Sequence, residues 1–306
     1  MIHSDSNVIV VDWGTTNFRA FLLDGANSLI DSVEANVGLL SVTDGNFASA
    51  LESVLKKWLP EYMNFPIVFA GMVGSAKGWH NVDYIPSPAS ASDLSKELFV
   101  FNLPWEQMAA IVPGVCHTSA VGKDVMRGEE IQIFGLSQVL SSDNFDAVFP
   151  GTHSKHVTYQ NNRIVQFGTY MTGEIFSLLV DHSILGKGIE SSATFKEAAF
   201  LKGADDALDG QLSNRLFLAR THMLFNSISN DEVADYLSGM LIAHELQSKI
   251  GKNLVFVGSE NLNRRYEIAS HHLDIQSTSV DGNACFVAGI SEIVNQLRQK
   301  GSTSLV

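Results

Sequence analysis

The first apolar run of this sequence ends in Asp12-Trp13-Gly14-Thr15-Thr16-Asn17-Phe18-Arg19. A carboxylate at the end of a buried strand can hold a hydrated Mg2+, because that ion takes one or two carboxylates and completes its shell with water and phosphate oxygens. Gly14 lets the backbone approach a phosphate, and the amides and hydroxyls of Thr15, Thr16 and Asn17 can donate to its oxygens. Arg19 could brace the loop or reach an anionic substrate. A hairpin with polar tips and no ligand is the plainer alternative.

A second string of the same kind, Pro150-Gly151-Thr152-His153-Ser154-Lys155, supplies a glycine, hydroxyls and a cation halfway along the chain. Two such hairpins, one in each half, could grip a nucleotide's phosphates with oriented donors, which is what phosphoryl transfer requires. No Gly-x-x-x-x-Gly-Lys-Ser/Thr is present. Gly71-Met72-Val73-Gly74-Ser75 lacks a dinucleotide fingerprint and reads first as a close-packing turn.

In Val125-Met126-Arg127-Gly128-Glu129-Glu130-Ile131-Gln132 two carboxylates open a helix. The helix dipole alone favours them there. The functional reading makes one of them general base on an acceptor hydroxyl, with Arg127 holding a substrate carboxylate in a bidentate pair. Met171-Thr172-Gly173-Glu174 reads as a helix cap. The ten histidines show no metal-ligand spacing: His271-His272 fall on a turn and His153 stands among loop donors. Ser75, Ser154 and Ser259 lack the Gly-x-Ser-x-Gly frame of a hydrolase elbow.

The elements that must position these groups follow from hydrophobic period and breakers. Strands are expected at 7–11 and 18–23, a helix at 47–58, a strand at 66–72 and a loop or insertion at 79–92. A strand follows at 109–112 and a helix at 129–139. After Ser141-Ser142-Asp143-Asn144 the strand, polar turn, strand pattern recurs at 147–149 and 156–159. Helices at 173–181, 215–225 and 231–249 precede a strand at 253–257, a helix from 260, a strand at 273–280 and a last helix at 284–299. The recurrence predicts two domains of similar topology, 1–143 and 144–283, with the helix 284–300 packing back on the first.

Composition narrows the function class. A chain of 306 residues, 45% hydrophobic and 17% charged, can bury a sizeable core. A net charge of −13 disfavours nucleic acid and anionic membranes, so an anionic ligand needs a local cation, backbone amides or a metal. Cys116 and Cys285 read as isolated reduced thiols. The first residues do not have a signal-peptide pattern and no stretch reaches membrane-span length. The expectation is a soluble, cytoplasmic protein.

Taken together these strings resemble the actin/hexokinase-like ATPase superfamily. Asp12 to Thr16 is similar to its first phosphate motif, Pro150 to Lys155 stands where the second belongs, and Val257-Gly258-Ser259-Glu260-Asn261-Leu262 where the adenosine motif does. The helix from Ala284 with Gly289 resembles the second connecting helix. The usual Asp-Gly-Gly and Gly-Gly-Gly forms are missing. A closer resemblance, to the 2-dehydro-3-deoxygalactonokinase family, rests on Asp12 to Ala20, Ala70 to Ser75 with Gly78-Trp79, Pro113-Gly114, Val125 to Glu130 with Gln132, Pro150 to His153, Met171 to Glu174 and Leu237-Ser238-Gly239.

The resemblance implies two ribonuclease-H-like α/β domains with mixed sheets and an ATP cleft between them. It implies ATP-dependent phosphorylation of 2-dehydro-3-deoxy-D-galactonate at its 6-hydroxyl, with ATP and Mg2+ as cofactors. Asp12 (also anchoring the metal through water), Gly14, Thr15, Thr16, Asn17, Gly151, Thr152, His153, Lys155, Gly258 and Ser259 are expected on ATP and its phosphates. Arg19, Gly71, Met72 and Arg127 are expected on the sugar acid, and Glu129 as base with Glu130 as alternate. The expected partners are small molecules, with a homodimer allowed and neither nucleic acid nor membrane involved. Competing readings are a nucleotide-gated sugar-sensing regulator on the same fold, a kinase for a related sugar acid, and an acyl-phosphate-forming relative.

Overall fold

The computed structural model describes residues 6–189, 194–208 and 210–303. They divide into two compact units. The first holds the described residues up to Asn144, Thr158–Phe167 and those from Gly282 onward; the second holds Phe145–Val157 and Gly168–Asp281.

The first unit opens on β1 (Val8–Trp13), whose Val-Ile-Val-Val run is buried on both faces, as expected of a strand inside a partly parallel sheet. β2 (Phe18–Leu23) pairs antiparallel with it, placing Asp12 opposite Arg19, and β3 (Leu29–Ala35) pairs antiparallel with β2. α1 (Phe47–Trp58) starts at Asn46, whose side chain accepts from the Ser49 amide, and buries Phe47, Leu51, Val54 and Leu55. β4 (Ile67–Gly71) adds in parallel to the other side of β1.

There follow β5 (Ile85–Pro86), α2 (Ala91–Lys96), β6 (Phe99–Asn102), β7 (Met108–Ile111), β8 (Val115–Ser119), β9 (Gly122–Met126) and α3 (Glu129–Leu140). The main sheet runs β3-β2-β1-β4-β7-β6, and β5, β8 and β9 form a separate three-stranded sheet. Trp13, Phe18, Phe47 and Phe69 lie in this unit's core, with Trp13 edge-on to Phe18 at 5.1 Å.

The second sheet contains β10 (Asn144–Phe149), β11 (Ser154–Gln160) and β12 (Arg163–Tyr170). α4 (Thr172–His182), α5 (Glu197–Leu208), α6 (Leu212–Arg215), α7 (Leu218–Leu224) and α8 (Val233–Leu246) intervene before β13 (Asn253–Gly258), α9 (Glu260–His272) and β14 (Gln276–Asp281). Its order, β12-β11-β10-β13-β14, repeats that of β3-β2-β1-β4-β7, and in both the last three strands are parallel neighbours. Phe200, Tyr236, Phe256 and Tyr266 are buried in its core.

α10 (Gly282–Thr303) belongs to the first unit and crosses α3 at backbone distance. A Cβ on Gly135 would fall 1.7 Å from the Cys285 carbonyl oxygen, and one on Gly289 would fall 1.9 Å from that of Ile131. α5 and α8 meet in the same way, through Gly203 and Gly239.

Several sequence expectations change. The segment 79–92 is not simply a loop, because it contributes β5 and the start of α2. The single helix expected at 215–225 is two short ones, α6 and α7. His271 and His272 end α9 and are not on a turn, and β14 begins at Gln276. Residues 158–167, expected with the second half, belong to the first unit, where Ile164 bridges to Ala89 and Arg163 pairs with Asp93 at 3.1 Å.

Candidate active site

In the first unit, three segments converge on Asp12. The indole of Trp13 points the other way, its N–H donating to the Val37 carbonyl at 2.8 Å, which fixes the face that Asp12 occupies. The Asp12 carboxylate is paired with Arg19, and Arg19 also donates to Asn283 at the start of α10. Arg19 therefore braces Asp12.

β4 ends beside this carboxylate at Gly71, whose φ of 92° is a region side chains rarely adopt. A Cβ there would stand 2.8 Å from the Trp13 carbonyl oxygen and 3.1 Å from Asp12 Oδ1. Gly128, with φ of 114°, brings in the first turn of α3: a Cβ on it would lie 3.8 Å from Asp12 Oδ1. Met72 follows Gly71 in a 3-10 turn and is half-buried.

The turn after Trp13 is tight, its Gly14 amide donating to the Asn17 carbonyl at 2.9 Å. Leu39 and Leu40 amides bond the Gly14 and Thr15 carbonyls at 3.0 and 3.1 Å. Thr15, Thr16 and Asn17 are exposed.

At the head of α3 the two carboxylates separate. Glu129 is half-buried and accepts from the Arg127 amide at 3.2 Å. Glu130 is 0% exposed, accepts from the Gly128 amide at 2.7 Å, and keeps Oε1 buried with no hydrogen-bond partner. Burial, followed by the nearby Glu129 charge, pushes the Glu130 carboxyl up to about 8. It is thus largely protonated at neutral pH and does not oppose its neighbour.

Arg127 is 7% exposed, with Nη2 on the Val82 carbonyl and the guanidinium 4.3 Å from the Tyr84 ring centroid. Its Nε and Nη1 are buried without partners, a costly arrangement for a charged group. Nη1 packs where Gly74 has no side chain.

The second unit assembles three loops. Gly151 has open space where a Cβ would project, and Thr152 and His153 are exposed. The Met171–Glu174 turn closes on this loop: the Glu174 amide donates to the Thr152 carbonyl at 3.0 Å and His153 pairs with Glu174. A Cβ on Gly173 would sit 2.4 Å from the Gly151 carbonyl oxygen. Met171 makes no side-chain cap, so the string read as a helix cap is half of a composite loop.

Gly258 ends β13, and a Cβ on it would lie 3.8 Å from Pro150; Ser259 follows, exposed, at the head of α9. Lys155 does not act as a loop cation. It lies in β11, 6% exposed, with Nζ on the Thr169 hydroxyl at 2.8 Å. A cavity of about 660 Å3 in this unit is lined by Phe176, Phe195, Asn261 and Arg264 among others, of a size usual for small-molecule sites.

Sequence reasoning missed Glu245, a carboxylate 2% exposed on α8 that collects four side-chain partners. The signal was a lone acid in Leu237-Ser238-Gly239-Met240-Leu241-Ile242-Ala243-His244-Glu245-Leu246, a helix buried nearly all round.

One carboxylate beside exposed hydroxyls suits Mg2+ held through water and phosphate. Among the described residues no cluster of three or more His, Cys, Asp or Glu is placed to cage a metal. No described helix is long and apolar enough to cross a membrane.

The model of the 2-keto-3-deoxy-galactonokinase family matches residues 12–293. The chain is 33% identical to a 2-dehydro-3-deoxygalactonokinase of Escherichia coli over 94% of its own length and 97% of the other's. A crystal structure of a protein from Sinorhizobium meliloti described as a 2-dehydro-3-deoxygalactonokinase superposes with a TM-score of 0.87 at 27% identity, covering 94% of this chain and 96% of that one. The activator of 2-hydroxyisocaproyl-CoA dehydratase from Clostridium difficile, solved with bound ADPNP, shares the fold at a TM-score of 0.50 and 11% identity, over 96% and 97% of the two chains. The two α/β units with mixed sheets are thus a fold shared with that activator.

Proposed function

Because this chain belongs to the 2-keto-3-deoxy-galactonokinase family, we propose that it transfers the γ-phosphate of ATP to the 6-hydroxyl of 2-dehydro-3-deoxy-D-galactonate. The product is 2-dehydro-3-deoxy-6-phospho-D-galactonate, and the setting is cytoplasmic D-galactonate catabolism. The observation that carries this reading is the convergence of Asp12, Gly71 and the two-carboxylate head of α3 on one point.

Asp12, oriented by Arg19, would hold Mg2+ through water, with the exposed Thr15, Thr16 and Asn17 as donors to phosphate oxygens. Bound Mg2+ supplies charge neutralisation on the transferred group. Gly151, Thr152 and His153 form the second phosphate loop, and Gly258 and Ser259 border the nucleoside, for which the cavity beside Asn261 has room.

Glu129 takes the proton of the acceptor hydroxyl as its oxygen bonds to phosphorus and ADP leaves. Glu130, fully buried and protonated, keeps the pair from carrying two adjacent charges. Arg127 offers Nε and Nη1 to the sugar-acid carboxylate, with Gly71 and Met72 as its neighbouring wall. Those nitrogens are sealed at present, so binding there requires the Gly74 and Tyr84 wall to yield.

A coupled ADP-release assay over a panel of sugar acids tests the reading. Acceptor-dependent turnover is expected with 2-dehydro-3-deoxy-D-galactonate, with lower kcat/KM for the gluconate-derived epimer. The opposite preference moves the assignment to a related sugar acid. ATP binding with no acceptor-dependent ADP release rejects the kinase.

A further inference from the structure

Behind the composite loop of the second unit lies a carboxylate that the reaction does not use. Glu245 Oε1 accepts from the Ser154 hydroxyl at 2.7 Å and is bonded to His156 Nε2 at 2.7 Å. Its Oε2 accepts from the Tyr266 hydroxyl at 2.8 Å and from the Thr172 hydroxyl. A buried acid costs stability unless its lone pairs are occupied, and here each oxygen has two hydrogen-bonding partners.

Two of the four partners have a special place in the chain. Ser154 is the residue immediately after the Gly151–His153 turn, and Thr172 opens α4, immediately before Gly173. Those turns already touch, through the Glu174 amide on the Thr152 carbonyl and the close approach of Gly173 to Gly151. Glu245 joins their bases from below. A shift of either loop would break a buried hydrogen bond to Glu245.

We infer that Glu245 is a positioning residue: through Ser154 and Thr172 it holds the Gly151–His153 and Thr172–Glu174 turns in one fixed arrangement that presents their donors to an anionic phosphate chain. It touches neither ATP nor acceptor. The inference rests on the nucleotide reading given above for the second unit.

The test is steady-state kinetics of the full chain with ATP and 2-dehydro-3-deoxy-D-galactonate varied in turn, beside thermal melts. Thr172→Val removes one arm at constant shape, and Glu245→Gln turns an acceptor into a donor facing hydroxyls. Each is expected to raise the KM for ATP about tenfold while the KM for the sugar acid stays within about twofold. Thr172→Ser, which keeps the hydroxyl, should return the ATP KM towards that of the wild type. A lowered Tm with the ATP KM unmoved, or equal rises in both KM values, overturns the inference and leaves Glu245 as a core strut. If Glu245→Gln does not fold, Thr172→Val and Thr172→Ser decide alone. A wild-type chain that neither binds nor consumes ATP overturns the nucleotide reading and this inference with it; wild-type ATP use with an unaffected Thr172→Val overturns this inference only.

Discussion

Asp12 and Arg19 face each other across the first hairpin as register partners, and their charges are joined. The brace pins the carboxylate proposed to anchor Mg2+, and removing its charge should disable the reaction without unfolding a strand end. Asp12→Asn is expected to lower kcat by about 100-fold or more, with Tm nearly unchanged. Kinetics and a melt on the same preparation check this; a folded variant of near-normal kcat rejects Asp12 as anchor.

Glu129 and Glu130 are adjacent on α3, so they point about 100° apart, and the half-buried Glu129 is the proposed base. Glu129→Gln should cost about 10²- to 10⁴-fold in kcat with the KM for ATP kept, and Glu130→Gln much less. The reverse pattern exchanges the roles, and equal small losses leave no carboxylate here as base.

The raised carboxyl of Glu130 also predicts a pH dependence of stability. In the unfolded chain the group ionises near 4.5 and in the fold near 8, so between those values only the folded state keeps the proton. Its contribution is fully present below the lower value and declines by at most about 1.4 kcal/mol per pH unit until about pH 8. Glu130→Gln, which is neutral throughout, should match the wild type near pH 4.5 and be more stable at pH 8. Denaturant titrations at the two pH values check it, and a difference independent of pH refutes it.

Arg127 keeps two buried N–H groups without partners, which a substrate carboxylate would satisfy. Arg127→Ala should weaken sugar-acid binding by about 2–5 kcal/mol, read as KM, with ATP little affected. Lys should not rescue, because it lacks the planar fork. An unchanged KM assigns Arg127 to holding Tyr84 and Val82 in place.

The elements legible in the sequence were those whose burial writes a simple period. β1 is apolar on both faces, and α1 carries Phe47, Leu51, Val54 and Leu55 on one. β3, β8 and β9 went unread because their residues are largely exposed or half-buried, so their alternation is polar and they sit as edges or in a small sheet. Of the site, Asp12 to Asn17 and Gly128 to Glu130 were visible as strings. That Gly71 belongs with Asp12 was not, since it depends on a parallel pairing between β1 and β4 that no local pattern encodes. Lys155 was misread for a related reason: the turn ends two residues earlier than its composition suggests, and the strand takes the lysine inward.

The glycine crossing of α3 and α10 bears on how the chain is made. The first unit draws its last helix from beyond Asp281, whereas the second is complete by that residue. During synthesis, then, the half whose residues emerge first must wait: α3 keeps an open groove at Gly135 until Gly289 has left the ribosome. The usual N-terminal-first order of assembly is expected to be inverted here. Nascent chains stalled with everything after Asp281 still inside the exit tunnel should yield to protease throughout 8–140 while 168–281 resists, and the opposite pattern of protection would show that the first unit closes without its final helix.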